Sequence, residues 1–468
     1  MYGKGQKDIV KISIAKLFHF LISVSLFYIS WILFRYGEFS LKGVGYRYNY
    51  YVTAGYAIVL LLFNRTYNSY LLGYSRISSL VFSQFLSQVF SVGIVWIGVT
   101  VAWRRIYNPV IFAALLGLQL LVNIFWSNIV SFLYFKINKL KKTIFIYRNS
   151  VDKYRFGIIK GRQFEKLYNI VTELQFDGTF SELLPKIKEY DAIFVAGVNS
   201  RCRNGIAKYC KEENIPGYFL PHVGDVIMQE AEHIQSFDSP VLYINRKVLK
   251  PEYLIVKRLF DIILSCLGII VLSPIYIFTA ILIKLYDHGP AFYKQVRLTK
   301  DGKEFEILKF RSMKIDAEKD GIARLSSGEN DNRITPIGKF VRKCRLDELP
   351  QLFNILKGDM SFVGPRPERP EIAEQYYKTM PDFKMRLQVK AGLTGYAQVY
   401  GKYNTDPYNK LELDLLYIKN MSILTDLRLM FATVEILFIA ESTEGVSNGQ
   451  TTAMKTDISE KDIHKKSE

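Results

Sequence analysis

Two adjacent carboxylates, Asp347 and Glu348, stand in a stretch otherwise crowded with cations. Leu349, Leu352, Phe353 and Leu356 follow at helical spacing, so a helix begins near them and both acids fall in its first turn. The positive end of a helix lowers a carboxylate's pKa. An ionised Asp there can act as a nucleophile toward phosphorus. The neighbouring Glu suits Mg2+, which takes carboxylate and phosphate oxygens. Side chains adjacent on a helix diverge by roughly 100 degrees, so the two acids need not share one job. An acidic pair at a helix start is more often a cap than a catalyst, and the surroundings have to decide.

Those surroundings are basic. Lys294, Arg297, Lys300, Lys309, Arg311 and Lys314 precede the pair. The alternation in KEFEILKFRSM predicts a strand with Lys309 and Arg311 on one face, an arrangement that suits a diphosphate or a phospholipid headgroup. Pro365 and Pro367 fix the backbone on both sides of Arg366, and a pre-set arginine suits phosphate or nucleotide recognition. Further on, Gly392, Gly395 and Gly401 permit tight turns near a ligand, and Tyr396, Tyr400 and Tyr403 can stack on a base or simply pack.

The elements that must position these residues begin with apolar segments. Of 468 residues, 49% are hydrophobic, while 62 Lys+Arg against 44 Asp+Glu give a net charge of +18. Wholesale disorder is excluded. Four cysteines without a CxxC exclude a disulfide scaffold and argue against a zinc site. Apolar stretches at 12–34, 50–63, about 80–103 and about 110–135 predict a bundle of four transmembrane helices within residues 1–142. Lys4, Lys7, Lys11 and Lys16 before or within the first, and Lys136, Lys139, Lys141 and Lys142 after the last, put both ends in the cytoplasm. Residues 143–248 read as a central α/β, Rossmann-like domain, with strands in TIFIYR, FGIIKG, DAIFVAG, GYFLP and VLYINR. No GxGxxG follows its first strand, so a structural or regulatory role is expected rather than dinucleotide binding.

Residues 249–440 form an α-rich unit that opens with an apolar segment at 259–286. Ser273-Pro274 lies at its middle, where proline breaks the helical ladder. Lys257 and Arg258 precede the segment and Lys284, Lys294 and Arg297 end or follow it. A helix that enters and returns keeps both basic flanks on one side, so a re-entrant membrane helix is expected. The amphipathic stretch 417–440 is expected in the bilayer interface, and the polar tail 441–468 is expected to be disordered.

Taken together, residues 252–440 resemble the bacterial sugar transferases that prime glycan assembly, the monotopic polyprenyl-phosphate phosphoglycosyl transferases. The pieces that carry the resemblance are VKRLFD, the Ser-Pro break, GPAFYKQVR, GKEFEILKFRSM, LDELPQLFNILKGDMSFVGPRP and KAGLTGYAQV, in the family's order. The four spans and α/β domain ahead of them resemble the layout of the long form, which starts exopolysaccharide, capsule or O-antigen repeat units. The resemblance implies transfer of sugar-1-phosphate from a UDP-sugar to undecaprenyl phosphate, with release of UMP and a requirement for Mg2+. It makes Asp347 the nucleophile that forms a phosphosugar-aspartyl intermediate and Glu348 the Mg2+ ligand. It makes Arg366 a nucleotide ligand, with Lys309, Arg311, Arg297 and Lys294 as further substrate-binding cations and Ser273-Pro274 as the re-entrant kink. It implies a multi-pass protein of the bacterial cytoplasmic (inner) membrane, with its active site on the cytoplasmic face and the N-terminal spans offering area for a homodimer. Two positions depart from the family: Thr299 stands where glycine is frequent, and Arg345 stands where Ser or Thr is common.

Three other readings compete. A non-catalytic scaffold or regulator of polysaccharide assembly would keep the fold without the chemistry, and intact motifs count against it. A transporter needs charges along its spans, and these have few. A nucleic-acid binder fits the net charge alone, so no nucleic-acid partner is expected.

Overall fold

The computed structural model describes the chain except residues 1–3, 39–46, 74, 105, 107, 160–161, 237–238, 246–249, 316, 318–330, 402–405 and 438–468. The polar tail, and Tyr403 with it, lies outside the described residues. The chain divides into two compact units, Met1–Leu220 and Pro221–Asp462.

The first unit opens with helices α1 (Lys4–Glu38), α2 (Arg47–Thr66), α3 (Ile77–Trp103) and α4 (Val110–Ile137), of which α1 packs on α2 and α4, and α3 on α2 and α4. Three of them are long and apolar enough to cross a membrane, through Val10–Phe34, Ile77–Trp103 and Val110–Ile137. The chain is thus a membrane protein. The remaining helix, α2, carries Arg47, Asn49, Asn64 and Arg65. It runs for 20 residues, longer than the apolar stretch 50–63 that marked it, and buries Tyr56, Leu60 and Phe63. Phe27 stacks on Tyr56 at 3.9 Å in the bundle core. Between these apolar layers lies a polar one. His19 bonds Tyr70 Oη and Asn123 Oδ1, Gln88 donates to Ser23 and Asn123, and Gln119 donates to Tyr56 Oη. Lipid cannot satisfy such groups, so they turn inward and pair with one another.

A four-stranded, all-parallel sheet follows, built from β1 (Lys141–Tyr147), β2 (Tyr168–Gln175), β3 (Ala192–Ala196) and β4 (Gly217–Phe219) in the order β2-β1-β3-β4. Every residue of β3 is buried, as befits a strand covered on both faces. Two expectations need correction. FGIIKG is not a strand: Phe156 lies in the helix Ser150–Ile159 and stacks on Phe145 at 3.9 Å. A short apolar run carries no decisive period, and contact with the sheet settles it as helix. The second strand is instead YNIVTELQ, which alternates largely between exposed and half-buried residues. VLYINR does not close this sheet either, because Ser239–Tyr243 pairs antiparallel with Glu232–Ser236 within the second unit. The compact division falls at residue 220 rather than 248, since Val223 and Val226 are buried in one core with Ile372, Leu411 and Leu415.

The second unit holds the bent pair Pro251–Val271 and Ser273–Asp287, whose axes differ by 61°. Pro274 opens the second arm, and Ser273 Oγ donates to the Ile270 carbonyl at 2.8 Å, satisfying one acceptor that the break frees. Ile270, Val271, Ile277, Phe278 and Leu285 are exposed apolar side chains along the pair. Other parts of the pair pack inward. Ile269 and Leu272 meet Leu352 and Ile355, and Tyr276 and Ile283 share a core with Phe310 and Val341. Lys257 pairs with Asp426 at 2.7 Å, and Arg258 donates to the carbonyls of Ile355 and Leu356 at 2.7 Å each. Of the expected amphipathic stretch 417–440, Tyr417 is fully buried in the helix Pro407–Lys419, Ile423–Leu437 is a second helix, and 438–440 lie outside the described residues.

Candidate active site

The acidic pair sits on a short turn between two helices. Thr335 Oγ1 accepts from the Gly338 amide and Pro336 enters the first turn, which starts the helix Pro336–Lys343. Arg345 then adopts φ 53°, a left-handed conformation that ends that helix and turns the chain into the 3-10 segment Leu346–Glu348. Leu346 and Leu349 pack beside Tyr276, Phe310 and Val341 and thereby anchor the turn that carries Asp347 and Glu348. The following helix spans Gln351–Lys357 and ends at Gly358, whose φ of 99° favours glycine. The acids therefore precede the α-helix on a turn of their own rather than lying in its first turn.

Around Glu348 three cations converge. Arg366 Nη2 donates to its Oε1 at 2.9 Å, Lys309 Nζ lies 3.8 Å from the same oxygen, and Arg345 Nη1 lies 3.9 Å from Oε2. Burial alone would push Glu348 up, but Arg366, Lys309 and Arg345 outweigh it and hold the carboxyl down at about 2. Asp347 moves the other way. Burial and the neighbouring Glu348 charge raise it, against the pull of Lys309, Arg342 and Arg366. The expectation of a lowered Asp347 is thus reversed, chiefly by burial and then by the like charge of Glu348, on a turn that precedes the helix. Burial brings Lys309 down to about 8, although Glu348 opposes the shift.

Lys309 and Arg366 are the two expected cations that the fold brings to the pair. Lys309 is the penultimate residue of the hairpin strand Glu304–Phe310, which pairs antiparallel with Phe292–Leu298. Asn354 stitches that strand to the helix behind the acids: its Oδ1 accepts from the Leu308 amide at 2.9 Å, and its Nδ2 donates to the Glu306 carbonyl at 2.7 Å. Arg366 follows a crossing of two backbones. A Cβ on Gly364 would sit 2.4 Å from the Lys390 carbonyl, and one on Gly392 would sit 2.0 Å from the Gly364 amide, so glycine is required at both.

The other three expected cations stand elsewhere. Lys294 is exposed and pairs with Glu306 at 2.8 Å across the hairpin. Arg311 is buried past the strand's end, against Gly289, in a small cavity with Ile283, Tyr286 and Ile337. Arg297 supports the loop of Arg366, donating to the Pro367 carbonyl at 3.2 Å and to Gln295 at 2.6 Å. Sequence reading passed over Asn354 and Arg342. The signal for the first was an amide among the apolar residues of LFNILK. Thr299, the departure from glycine, is a staple: its Oγ1 donates to the Asp359 carbonyl at 3.0 Å and accepts from the Ala391 amide at 3.1 Å.

Among the described residues no group of three or more His, Cys, Asp and Glu side chains is placed to hold a metal. The Asp347 and Glu348 carboxylates are hard oxygen donors of the kind Mg2+ takes, commonly one or two alongside substrate phosphates and several waters.

Comparison with known proteins is consistent with this geometry. Residues 252–440 match the family model described as bacterial sugar transferase. A Bacillus subtilis (strain 168) protein, provisionally named an undecaprenyl-phosphate N-acetylgalactosaminyl 1-phosphate transferase, is 50% identical over 136 residues, which cover 29% of this chain and 75% of that protein. The chain belongs to the bacterial sugar transferase family. Within that family, the UDP-glucose:undecaprenyl-phosphate glucose-1-phosphate transferase of Klebsiella pneumoniae is 42% identical over 214 residues, 45% of this chain and 44% of that protein. The UDP-N-acetylgalactosamine-undecaprenyl-phosphate N-acetylgalactosaminephosphotransferase of Aeromonas hydrophila is 36% identical over 233 residues, 49% of this chain and 53% of that protein. The matched stretch thus spans about half the length of these two relatives.

Proposed function

We propose that this sugar transferase moves a sugar-1-phosphate from a nucleoside-diphosphate sugar, with a UDP-hexose as the default donor, onto undecaprenyl phosphate. The observation that carries the reading is the acidic pair flanked by Lys309, Arg345 and Arg366. An Asp347 oxygen attacks the β-phosphorus of the donor. The bond from that phosphorus to the bridging oxygen breaks, and UMP leaves. A phosphate oxygen of undecaprenyl phosphate then attacks the same phosphorus, and the Asp347 carboxylate is released as the diphosphate-linked lipid sugar forms. Arg366 and Lys309 hold the donor's phosphates, replacing part of their contact with Glu348, and so stabilise charge where it develops. Glu348 would hold Mg2+, which when bound neutralises phosphate charge as a Lewis acid. The product begins a repeat unit of exopolysaccharide, capsule or O-antigen.

The membrane disposition belongs to the same proposal. All four N-terminal helices cross the bacterial inner membrane; 20 residues of α2 reach about 30 Å. The bent pair enters and returns. Packing of its apex residues and its second arm on the body that bears the acids supports that path over a straight crossing. The helix Ile423–Leu437 lies in the interface on the cytoplasmic side, the α/β domain regulates or assembles, and the N-terminal spans form the dimer contact.

Membranes carrying the chain, undecaprenyl phosphate, Mg2+ and a panel of UDP-sugars test the reading. UMP release that Asp347→Ala abolishes supports it and identifies the sugar. Release of UDP would instead mean plain glycosyl transfer, and the same yield from Asp347→Ala would remove the covalent step.

A further inference from the structure

Four consecutive carbonyls around the Pro-Arg-Pro turn each meet a donor. Pro365 O accepts from the Gly392 amide at 2.9 Å, and Glu368 O from the Leu298 amide at 3.0 Å. Pro367 O accepts from Arg297 Nη1 at 3.2 Å, and Arg366 O from Arg386 Nη2 at 2.8 Å. The last of these stands apart. Proline fixes φ at 365 and 367, and a following proline also holds Arg366 in extended backbone. The ψ angle of Arg366 sets where its carbonyl points, and a fixed donor can remove the freedom that the following proline leaves in it. A donor fixed on that carbonyl fixes the turn from which the Arg366 side chain departs.

Arg386 is itself immobilised. Its side chain is 3% exposed, Nε and Nη2 reach Asp414 Oδ2 at 2.9 and 2.7 Å, and Nη1 stands 3.7 Å from Glu368. The guanidinium lies over the Phe383 ring at 4.7 Å. Asp414 is fully buried in the helix Pro407–Lys419. Buried ion pairs are seldom the most stabilising way to fill a core, and their best-attested use is to specify one arrangement. A planar guanidinium also offers what lysine lacks, several donors in fixed directions, so one group can grip Asp414 and the loop together.

We infer that Arg386, locked by Asp414, is a positioning residue that fixes the Arg366 carbonyl and so aims the Arg366 guanidinium at the donor's diphosphate beside Glu348. This rests on the reading of Arg366 as a phosphate ligand. Arg386 acts through Arg366, and the two should therefore not be independent.

The experiment is a double-mutant cycle on the full-length protein in membranes, with Arg386→Lys, Arg366→Ala and both together. Steady-state UMP release is followed against UDP-sugar concentration. The expected result is that Arg386→Lys raises KM about tenfold, more than it lowers kcat, and adds less than about twofold to the loss caused by Arg366→Ala. Losses that multiply would overturn the inference, because a merely structural role is additive. Asp414→Asn keeps the volume and one acceptor, and should show the same non-additivity if Arg386→Lys does not accumulate. Hydrogen–deuterium exchange supplies a readout that needs no turnover. The amides of Arg366, Glu368 and Arg369 should exchange faster in Arg386→Lys or Asp414→Asn, with 141–147 unchanged as the control. Unchanged exchange at those amides would sink the clamp. A wild type that releases no UMP with any donor would sink the proposed reaction while the exchange data still decide the clamp.

Discussion

Two regions of this chain bury polar groups, and they do so in opposite ways. In the N-terminal bundle the buried polar side chains are His19, Ser23, Gln84, Gln88, Gln119, Asn123 and their kind, and among the described residues no Asp, Glu, Lys or Arg is buried there. In the unit that carries Asp347 the interior is ionic: Lys257 meets Asp426, Arg386 meets Asp414, and Glu348 meets Arg366. Lipid offers no partner to a stranded group, so the bundle uses amides and hydroxyls whose failure costs little. A body built beside water can hold formal charge, provided each charge is paired. Charge is what a diphosphate substrate needs. The difference teaches where chemistry sits: the bundle specifies an assembly of helices, while the second unit holds a field.

Four substitutions sharpen or break that contrast. On the proposed mechanism Asp347→Asn removes the charge of the attacking oxygen, and it should cut UMP release by at least about 10³-fold with an unchanged melting temperature. Asp426→Ala strands Lys257 and should destabilise the second unit by about 3–5 kcal/mol, read by denaturant unfolding of the detergent-solubilised protein. Arg366→Ala takes away a charge-assisted hydrogen bond and should weaken donor use by about 10–150-fold in kcat/KM. Asn123→Leu in the bundle should cost only about 0.6–1.7 kcal/mol in thermal unfolding and leave UMP release within about twofold. If Asn123→Leu proved as damaging as Asp426→Ala, the two interiors would not differ in kind. If it silenced UMP release, the bundle would be part of the chemistry.

The parts of the fold legible in the sequence were those with a strong local signal. KEFEILKF alternates and is a strand, Ser273-Pro274 breaks a helix, and DAIFVAG is a buried strand. The failures were tertiary. FGIIKG became helix because Phe156 found Phe145. Lys294, Arg297 and Lys309 lie close together in sequence, yet hairpin register and loop contacts send one to solvent, one to a carbonyl and one to Glu348. The reversed direction at Asp347 required knowing that the fold buries it and that Glu348 stays charged next to it. Arg386 carries no motif signal of its own, since its role appears only when the 366 carbonyl arrives.

The first arm of the bent pair has a consequence for biogenesis. Arg258 finds its acceptors in residues 97 and 98 positions later, Asp261 finds its donors 100 and 101 positions later, and Lys257 reaches Asp426 across 169. At roughly 5–20 residues per second, the first of these partners leave the ribosome some 5–20 s after the arm does. Through that interval the arm carries three unmatched charges at the mouth of an apolar helix. On the proposed re-entrant path it should therefore wait at the headgroups until the body behind it has folded, so that seating in the bilayer becomes the closing event of the unit's assembly.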